Sequence, residues 1–348
     1  PKIRTREIQG GQIHINSGDE FSLTTNNILG NRNCVSVDYS NLTQSVHIGG
    51  RILLDDGNLE LIVEKINPKT IVTRVSIGGI LKPHKGVNLP GAKLDIQSFT
   101  TKDKDDLAFG LSQDVDAVAL SFVRSEQDII NLRKEIRKID ESKSTIPIIA
   151  KLERPEALDN LHKIIHAADG VMVARGDLGV ELPPAIVPTQ QKRIINIANH
   201  HLKIVITATQ MLESMMNNPR PTRAEASDVA NAIFDGSDLV MLSGETAVGK
   251  YPVETVEMMA SIIAEAEIHA TEWGHFDTGM RDDLSHEDAF YITRAARELA
   301  YNRDVAAIAV FTISGHTAKV MSKVRPQVPI LAFTPNENTY NILALNWG

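Results

Sequence analysis

Apolar and polar residues alternate through the first part of the chain, with the period of two that is typical of strands with one buried face. The segments 35–39, 60–64 and 70–75 show this alternation most clearly, and turn sequences rich in Gly, Asp, Asn and Pro separate them. We therefore predict a small all-β domain over residues 1–98.

From about residue 99, short apolar runs alternate with helix-length stretches. The predicted strands cover 116–122, 146–151, 170–174, 204–208 and 238–242. The first is followed by a helix with Ile129, Leu132, Ile136 and Ile139 on one face, and the others by helices over 155–167, 188–202, 223–234 and 252–270. Strands that are apolar throughout are buried on both faces. Residues 99–275 are therefore predicted to form an α/β domain with a parallel sheet, either doubly wound or part of an eight-stranded barrel.

A polar stretch without helical or strand period, 271–287, follows the fifth of these units. After it the pattern predicts a helix over 289–301, a strand over 305–311, a helix over 316–324 and a strand over 330–333. We interpret residues 286–348 as a third, partial α/β domain.

The composition is that of a globular protein with two or three domains: 348 residues, 42% apolar, 23% charged, with a formal net charge of −8. The negative charge argues against binding to nucleic acid or to an anionic membrane. The single cysteine, Cys34, cannot form an intramolecular disulfide, which fits a reducing compartment. No apolar run approaches the about 20 residues of a membrane span. Because the chain begins at Pro1 and stops just after a helix-like stretch, we expect it to be a piece of a longer protein.

Charged residues stand directly after two neighbouring predicted strands. Lys151 and Glu153 end the second strand, and Arg175 and Asp177 follow the third. Because the carboxyl ends of parallel strands lie at one edge of a sheet, these groups are predicted to meet there. Two carboxylates suit a hard cation such as Mg²⁺, and an ammonium beside them suits a phosphate or an enolate oxygen. A surface ion pair is the alternative for one such pair taken alone.

Polar or ionisable side chains follow all five predicted strands, within 121–124, 151–153, 174–179, 207–210 and 243–246. Barrel enzymes have their active site at this end of the strands, so the recurrence favours an enzyme over a passive scaffold. After the third strand, Gly176 would let a ligand approach the backbone closely. Thr222 and Glu225 have the spacing of a helix capping box. Arg4 and Lys85 are either solvated cations or phosphate-binding groups of a lid.

Seven motifs together resemble those of the pyruvate kinase family, and the resemblance extends from the first residue to the last. The motifs are PKIRT at 1–5, KGVNLPG at 85–91, IAKLE at 149–153, MVARGDLG at 172–179, ATQMLESM at 208–215, PRPTRAE at 219–225 and LSGETA at 242–247. The resemblance implies a TIM-type (β/α)8 barrel, incomplete here, with an inserted small all-β domain and a partial C-terminal α/β domain. It also implies transfer of a phosphoryl group from phosphoenolpyruvate to ADP, which gives pyruvate and ATP as the final step of glycolysis in the cytoplasm.

The resemblance also implies a role for each matching residue. Lys151 would stabilise the transition state and the enolate oxygen, and Thr209 would lie where the enolate is protonated. Glu153 and Asp177 would hold Mg²⁺ or Mn²⁺. Arg4 and Lys85 would reach the nucleotide phosphates when the β domain closes. The positions that would contact the substrate are Lys151, Gly176, Asp177, Thr209 and, more peripherally, Ser121 and Ser243.

This sequence departs from the family pattern in two respects. The first two barrel units and most of the third strand lie upstream of Pro1 in the family, together with a substrate-binding arginine and the monovalent-cation ligands. Five strands cannot close a barrel of eight, so we expect the chain alone to be poorly active. Lys2 stands where other members have glutamate, and the resemblance implies that its ammonium replaces K⁺, which would then not be required.

The resemblance further implies a homotetramer for the full-length protein, with the segment 219–225 near one interface. Two alternatives to the kinase stay open. One is a lyase or aldolase built on a phosphoenolpyruvate-binding barrel, which would also use a divalent cation and two carboxylates. The other is a truncated chain that binds a ligand without catalysis.

Overall fold

The structure, a computed structural model, describes residues 3–92, 99–274 and 288–348. The chain divides into two compact units, the first formed by residues 1–97 with 176–187 and the second by 98–175 with 188–348. Lys2 and most of the polar stretch predicted over 271–287 lie outside the described residues.

The first unit is all-β in its N-terminal part, as the alternation of apolar and polar residues predicts. Its strands are β1 (Ile13–Ile15), β2 (Glu20–Thr24), β3 (Cys34–Ser36), β4 (Arg51–Leu54), β5 (Leu59–Ile66), β6 (Thr70–Ile77), β7 (Gly79–Leu81) and β8 (Val87–Asn88). Six of them form one sheet in the order β3-β2-β6-β5-β4-β8, and β1 pairs with β7. The inward side chains, such as Phe21, Leu61 and Ile71, are completely buried. Since they come from alternate positions, one face of each strand forms the core.

A five-stranded parallel sheet lies at the centre of the second unit. Its strands are β9 (Val118–Leu120), β10 (Ile148–Leu152), β11 (Gly170–Ala174), β12 (Ile204–Ala208) and β13 (Leu239–Met241). They lie side by side in chain order, and every pair is parallel. The prediction of a parallel sheet is thereby confirmed, and all five carboxyl ends face the same edge.

Helices precede, connect and follow these strands, and several differ from their predicted bounds. They are α1 (Thr101–Ser112), α2 (Glu126–Ile139), α3 (Pro155–Asp159), α4 (Leu161–Ala167), α5 (Arg175–Glu181), α6 (Val187–His200), α7 (Arg223–Phe234), α8 (Gly244–Ala247), α9 (Pro252–Ile268) and α10 (Ala270–Trp273). The single helix predicted over 155–167 is broken at Asn160, whose amide donates to the carbonyl oxygen of Arg124 at 3.0 Å. Most of the segment 174–179, which follows the third predicted strand, belongs to α5.

The C-terminal part of the second unit contains α11 (Asp288–Asn302), β14 (Ile308–Phe311), α12 (His316–Lys323), β15 (Ile330–Phe333) and α13 (Glu337–Leu343). β14 and β15 are parallel, with α12 in the connection between them. Val310, Ala318 and Met321 form the centre of a small core here. The predicted α/β character is confirmed, and α13 coincides with the helix-like stretch noted near the end of the chain.

Buried charges join this C-terminal part to the amino end of β13. Lys323 and Arg325 both contact the carboxylate of Asp238, at 2.5 and 2.9 Å, and all three side chains are almost completely buried. Arg325 also donates to the carbonyl oxygen of Gly236 at 2.9 Å. The contacts lie at the opposite end of the sheet from the carboxyl ends of the strands.

None of the helices within residues 3–92, 99–274 and 288–348 has both the length and the apolar character to cross a bilayer.

Candidate active site

Three of the predicted residues meet at the carboxyl ends of β9 and β10. The Lys151 ammonium lies 2.6 Å from Glu153 Oε1 and donates to Ser121 Oγ at 3.3 Å. Glu153 is 1% exposed, whereas the Lys151 side chain retains a quarter of its exposure. A buried carboxylate therefore holds a partly exposed ammonium in place, which directs the cation toward the open edge of the sheet.

The backbone of Phe122 positions the other oxygen of Glu153. The Phe122 N–H donates to Glu153 Oε2 at 2.7 Å, across the gap between the ends of β9 and β10. Phe122 has a φ of 54°, in the left-handed region that non-glycine residues rarely adopt. This backbone conformation places the Phe122 N–H within hydrogen-bond distance of the Glu153 carboxylate. Nothing in the sequence around Phe122 indicates the left-handed conformation.

Thr209 follows β12 directly and also has left-handed backbone geometry, with a φ of 71°. The next residue, Gln210, has a φ of 54°. The Thr209 hydroxyl donates to the carbonyl oxygen of Ala208 at 2.6 Å. The Arg175 guanidinium, from the end of β11, donates to the carbonyl oxygen of Thr209 at 2.7 Å. Two neighbouring strand ends are thus joined through one arginine.

Ser243 lies at the end of β13, beside a buried glutamate that sequence reasoning left unassigned. The Ser243 N–H donates to Glu245 Oε2 at 2.8 Å, and the Leu212 N–H donates to Glu245 Oε1 at 3.2 Å. Glu245 is 2% exposed. Its carboxylate therefore connects the end of β13 to the segment that follows β12. Its place within the motif at 242–247 was the signal available for finding it.

The first unit holds the other four predicted residues. Gly176 and Asp177 are the second and third residues of α5. The remaining two, Arg4 and Lys85, come from adjacent backbone segments: Arg4 Nη1 donates to the carbonyl oxygen of His84 at 2.8 Å. The Lys85 ammonium lies 2.7 Å from Asp55 Oδ1. Arg4 and Lys85 therefore form one cationic region, in which an aspartate neutralises the lysine.

The donor chemistry of Glu153 fits a hard divalent cation. Both of its oxygens have a protein partner, and a carboxylate offers about four lone-pair sites, so each oxygen can accept a further contact. Within residues 3–92, 99–274 and 288–348, no three His, Cys, Asp or Glu side chains are grouped as a ready-made metal cage. Mg²⁺ commonly takes one or two protein carboxylates and completes its shell with water and substrate oxygens. Shared ligation by Glu153 and Asp177 stays a prediction.

The second unit thus brings Ser121, Lys151 and Glu153 into contact and places Thr209 and Ser243 at the same edge of the sheet. Sequence reasoning missed the supporting contacts made by Phe122, Arg175 and Glu245.

Known proteins match the chain over most of its length. The family model described as "Pyruvate kinase, barrel domain" matches residues 1–256, and "Pyruvate kinase, alpha/beta domain" matches residues 291–348. The pyruvate kinase of Clostridium perfringens is 45% identical over the whole chain, which covers 73% of that protein. Pyruvate kinase of Geobacillus stearothermophilus is 46% identical and pyruvate kinase 2 of Synechocystis 45%. The chain spans 59% and 58% of their lengths. The barrel and α/β domains expected from the sequence are confirmed, and the chain belongs to the pyruvate kinase family.

Proposed function

We propose that this chain carries catalytic residues of an enzyme that transfers the phosphoryl group of phosphoenolpyruvate to ADP, in the final step of glycolysis and in the cytoplasm. The observation that supports it best is the Lys151 ammonium, fixed by Glu153 and Ser121 at the carboxyl ends of β9 and β10. The bond between the phosphorus and the enol oxygen breaks, a β-phosphate oxygen of ADP forms the new bond, and the enolate gains a proton at its methylene carbon.

The charges that develop in this reaction explain the residue types. The phosphoryl group in transfer and the enolate oxygen left behind are both electron-rich, so cations fixed before the reaction stabilise the transition state. Lys151 supplies one such cation, and Glu153 keeps it oriented without exposing a second charge to solvent. Thr209, at the end of β12, would act where the enolate is protonated.

A divalent cation belongs to this proposal. Glu153 and Asp177 would hold Mg²⁺ or Mn²⁺, and Gly176 would contact the substrate together with Lys151, Asp177 and Thr209. The bound ion would supply positive charge to the substrate oxygens. The protein's own part is to fix the carboxylate, which the contacts of Phe122 and Lys151 with Glu153 already do.

The remaining assignments concern the substrate edge, the nucleotide and the assembly. Ser121 and Ser243 would line the site peripherally, and Arg4 and Lys85 would contact the phosphates of ADP. To bind a phosphate, Lys85 would first have to leave Asp55, so the nucleotide phosphates would have to compete with that carboxylate for the ammonium.

We retain the division into residues 1–98, 99–275 and 286–348 as a proposal, together with a homotetramer for the full-length protein. Light scattering of that protein tests the tetramer.

The decisive experiment is pyruvate formation by the full-length protein with phosphoenolpyruvate and Mg²⁺, measured with and without ADP. Pyruvate and ATP appearing in equal amounts only when ADP is present would support the kinase. Pyruvate release without nucleotide would instead favour the lyase or aldolase. Binding without turnover would favour a non-catalytic protein.

Lys151→Met tests the residue on which the proposal depends. We expect kcat to fall by about 10²- to 10³-fold, because a preorganised cation at a developing oxyanion is lost. Lys203→Met is the matched control: this partly buried lysine donates to the carbonyl oxygen of Ala168 at the other end of the sheet. Equal losses in the two variants would show a general effect of removing a lysine.

Potassium dependence gives a separate test. If the Lys2 ammonium replaces the monovalent cation, turnover of the full-length enzyme changes by less than about twofold when K⁺ replaces a tetraalkylammonium salt at constant ionic strength. Lys2→Glu is expected to make turnover K⁺-dependent. A large activation of the unaltered enzyme by K⁺ would contradict this role of Lys2.

A further inference from the structure

Arg175 is a charged residue at the site edge for which the proposed function has no role. It follows β11 directly, and its side chain is only 10% exposed. Its guanidinium group contacts four residues. Nε and Nη2 donate to the carbonyl oxygen of Thr209 at 3.2 and 2.7 Å, Nη2 lies 3.2 Å from the carbonyl oxygen of Gln210 and 2.8 Å from Met211 Sδ, and Nη1 donates to Asp228 Oδ2 at 2.6 Å.

The backbone that Arg175 contacts is in an unfavourable conformation. Thr209 and Gln210 are consecutive non-glycine residues with positive φ, and Thr209 is also β-branched, which makes this conformation rarer still. Such residues need support from their surroundings, and the guanidinium provides it by donating hydrogen bonds to the carbonyl oxygens of both. Asp228, on α7, fixes the guanidinium from its other side.

The same backbone determines where the Thr209 hydroxyl lies. That hydroxyl donates to the carbonyl oxygen of Ala208 at 2.6 Å, so its direction follows the backbone of residues 208 and 209. A change in the φ of Thr209 would therefore change the direction of the hydroxyl.

We propose that Arg175 is a positioning residue that holds Thr209 and Gln210 in the left-handed conformation and thereby orients the Thr209 hydroxyl for protonation of the enolate. The proposal rests on the proposed function, because it assigns Arg175 a part in one step of that reaction. Lysine could not replace it: an ammonium is a single point of charge, whereas the planar guanidinium directs donors to two carbonyl groups and a carboxylate at once.

The test isolates the proton-transfer step in the full-length enzyme with Mg²⁺. In deuterium oxide, the methyl group of pyruvate loses a proton to give the enolate and regains a deuteron, which NMR detects. For Arg175→Lys we expect this exchange to slow by about 10- to 100-fold, the effect of a small misplacement of a reacting group. The KM for phosphoenolpyruvate should change by less than about threefold, since its charged groups are bound elsewhere.

A double-mutant cycle with Thr209→Val distinguishes positioning from a general structural role. If Arg175 acts through Thr209, Arg175→Lys slows exchange by less than about twofold when Thr209 is already valine. Independent, multiplying effects would overturn the proposal. If Arg175→Lys does not fold, Asp228→Asn replaces it in the cycle, because this change removes the carboxylate that holds Nη1 of Arg175. Asp228→Asn should then also slow exchange by less than about twofold when Thr209 is already valine.

Arg133→Lys is the matched control. Arg133 also joins backbone carbonyl groups to an aspartate, those of Ser144 and Ile146 to Asp169, but at the amino ends of β10 and β11. We expect it to lower the melting temperature and to leave exchange within about twofold of the unaltered enzyme. Equal loss of exchange in both lysine variants would overturn the proposal. Absence of ADP-dependent turnover in the unaltered enzyme would instead count against the proposed function.

Discussion

Glu153 orients Lys151 and is also the predicted ligand of a divalent cation. A single carboxylate can do both because it is buried and fixed by hydrogen bonds. Its Oε2 accepts a backbone N–H from Phe122, and its Oε1 pairs with Lys151. The pairing keeps the Lys151 side chain oriented, while the remaining lone pairs suit a divalent cation. The negative charge of Glu153, rather than its shape, is therefore what both tasks need.

Glu153→Gln tests this requirement, because the amide keeps an oxygen for the Phe122 N–H and removes the charge. We expect the Mg²⁺ concentration for half-maximal turnover to rise by at least about tenfold, with a smaller effect on folding. A titration of turnover with Mg²⁺ measures it. Glu64→Gln, in an exposed pair with Arg74, is the control and should leave the titration unchanged. An unaltered Mg²⁺ requirement in Glu153→Gln would remove Glu153 from the proposed metal site.

Sequence reasoning located side chains at this scale better than it located backbone geometry. Lys151 and Glu153 were predicted to lie at the carboxyl edge of the sheet because they end a predicted parallel strand. The left-handed backbone at Phe122 and Thr209 could not be predicted, because each is stabilised by a partner about 30 residues away. Positive φ at Phe or Thr has no local sequence signal.

At the scale of elements, local chemistry accounts for the boundaries that were predicted correctly. α7 begins at Arg223 because Thr222 and Glu225 form a capping box, as predicted. Burial opposes ionisation of Glu225, but hydrogen bonds from Ser214 and Thr222 outweigh it and lower the pKa of this carboxyl group. The break at Asn160 was not predicted, because its partner Arg124 is distant in the chain.

Close packing of strands explains one glycine that no turn requires. A Cβ atom at Gly170, the first residue of β11, would lie 2.6 Å from Ile149 Cδ1 and 2.9 Å from Ile204 Cβ, on the two flanking strands. These distances are below any normal carbon contact. The strand therefore begins with glycine because its neighbours occupy the space of a side chain.

Gly170→Ala should lower the free energy of unfolding by about 1–3 kcal/mol, the usual effect of overpacking a core. Urea unfolding followed by circular dichroism measures it. Gly110→Ala is the matched control, since Gly110 lies inside α1 and the added methyl group would meet no atom within 4 Å apart from the adjacent residues and helix backbone. Alanine there should raise stability by up to about 1 kcal/mol. Destabilisation of similar size in both variants would contradict the packing argument.

At the scale of the whole molecule, the buried group formed by Asp238, Lys323 and Arg325 joins the C-terminal part to the sheet that bears the candidate site. Burial lowers the pKa of Lys323 from 10.5 to about 8, although Asp238 acts in the opposite direction. Asp238 Oδ2 also accepts the Val205 N–H at 2.8 Å, so the carboxylate has partners besides the lysine. The contacts that join the C-terminal part to the sheet therefore include Lys323, whose charged form is destabilised by burial.

This predicts a stability that rises with pH. Below about pH 8 both folded and unfolded states keep the Lys323 proton, and the unfavourable burial amounts to roughly 3 kcal/mol. Between pH 8 and 10.5 only the unfolded state keeps it, so raising the pH favours the folded state.

Urea unfolding at pH 7.5, 8.5 and 9.5 should show the unaltered protein gaining stability relative to Lys323→Met. Lys102→Met, in an exposed pair with Asp106, is the control and should show no such gain over this range. If the unaltered protein instead lost stability relative to Lys323→Met as the pH rises, the attraction of Asp238 would outweigh burial in its effect on the pKa of Lys323.

The chain order of β9 to β13 has a consequence for how the protein is made. Among the described strands of this sheet, each pairs with the strand before or after it in the chain, and each connection between neighbours contains one or two α-helices. Each addition to the sheet therefore closes a loop of modest length, which keeps the entropy cost of every step small and similar. A polypeptide leaving the ribosome can acquire this sheet one strand at a time, without waiting for distant parts of the sheet to be synthesised.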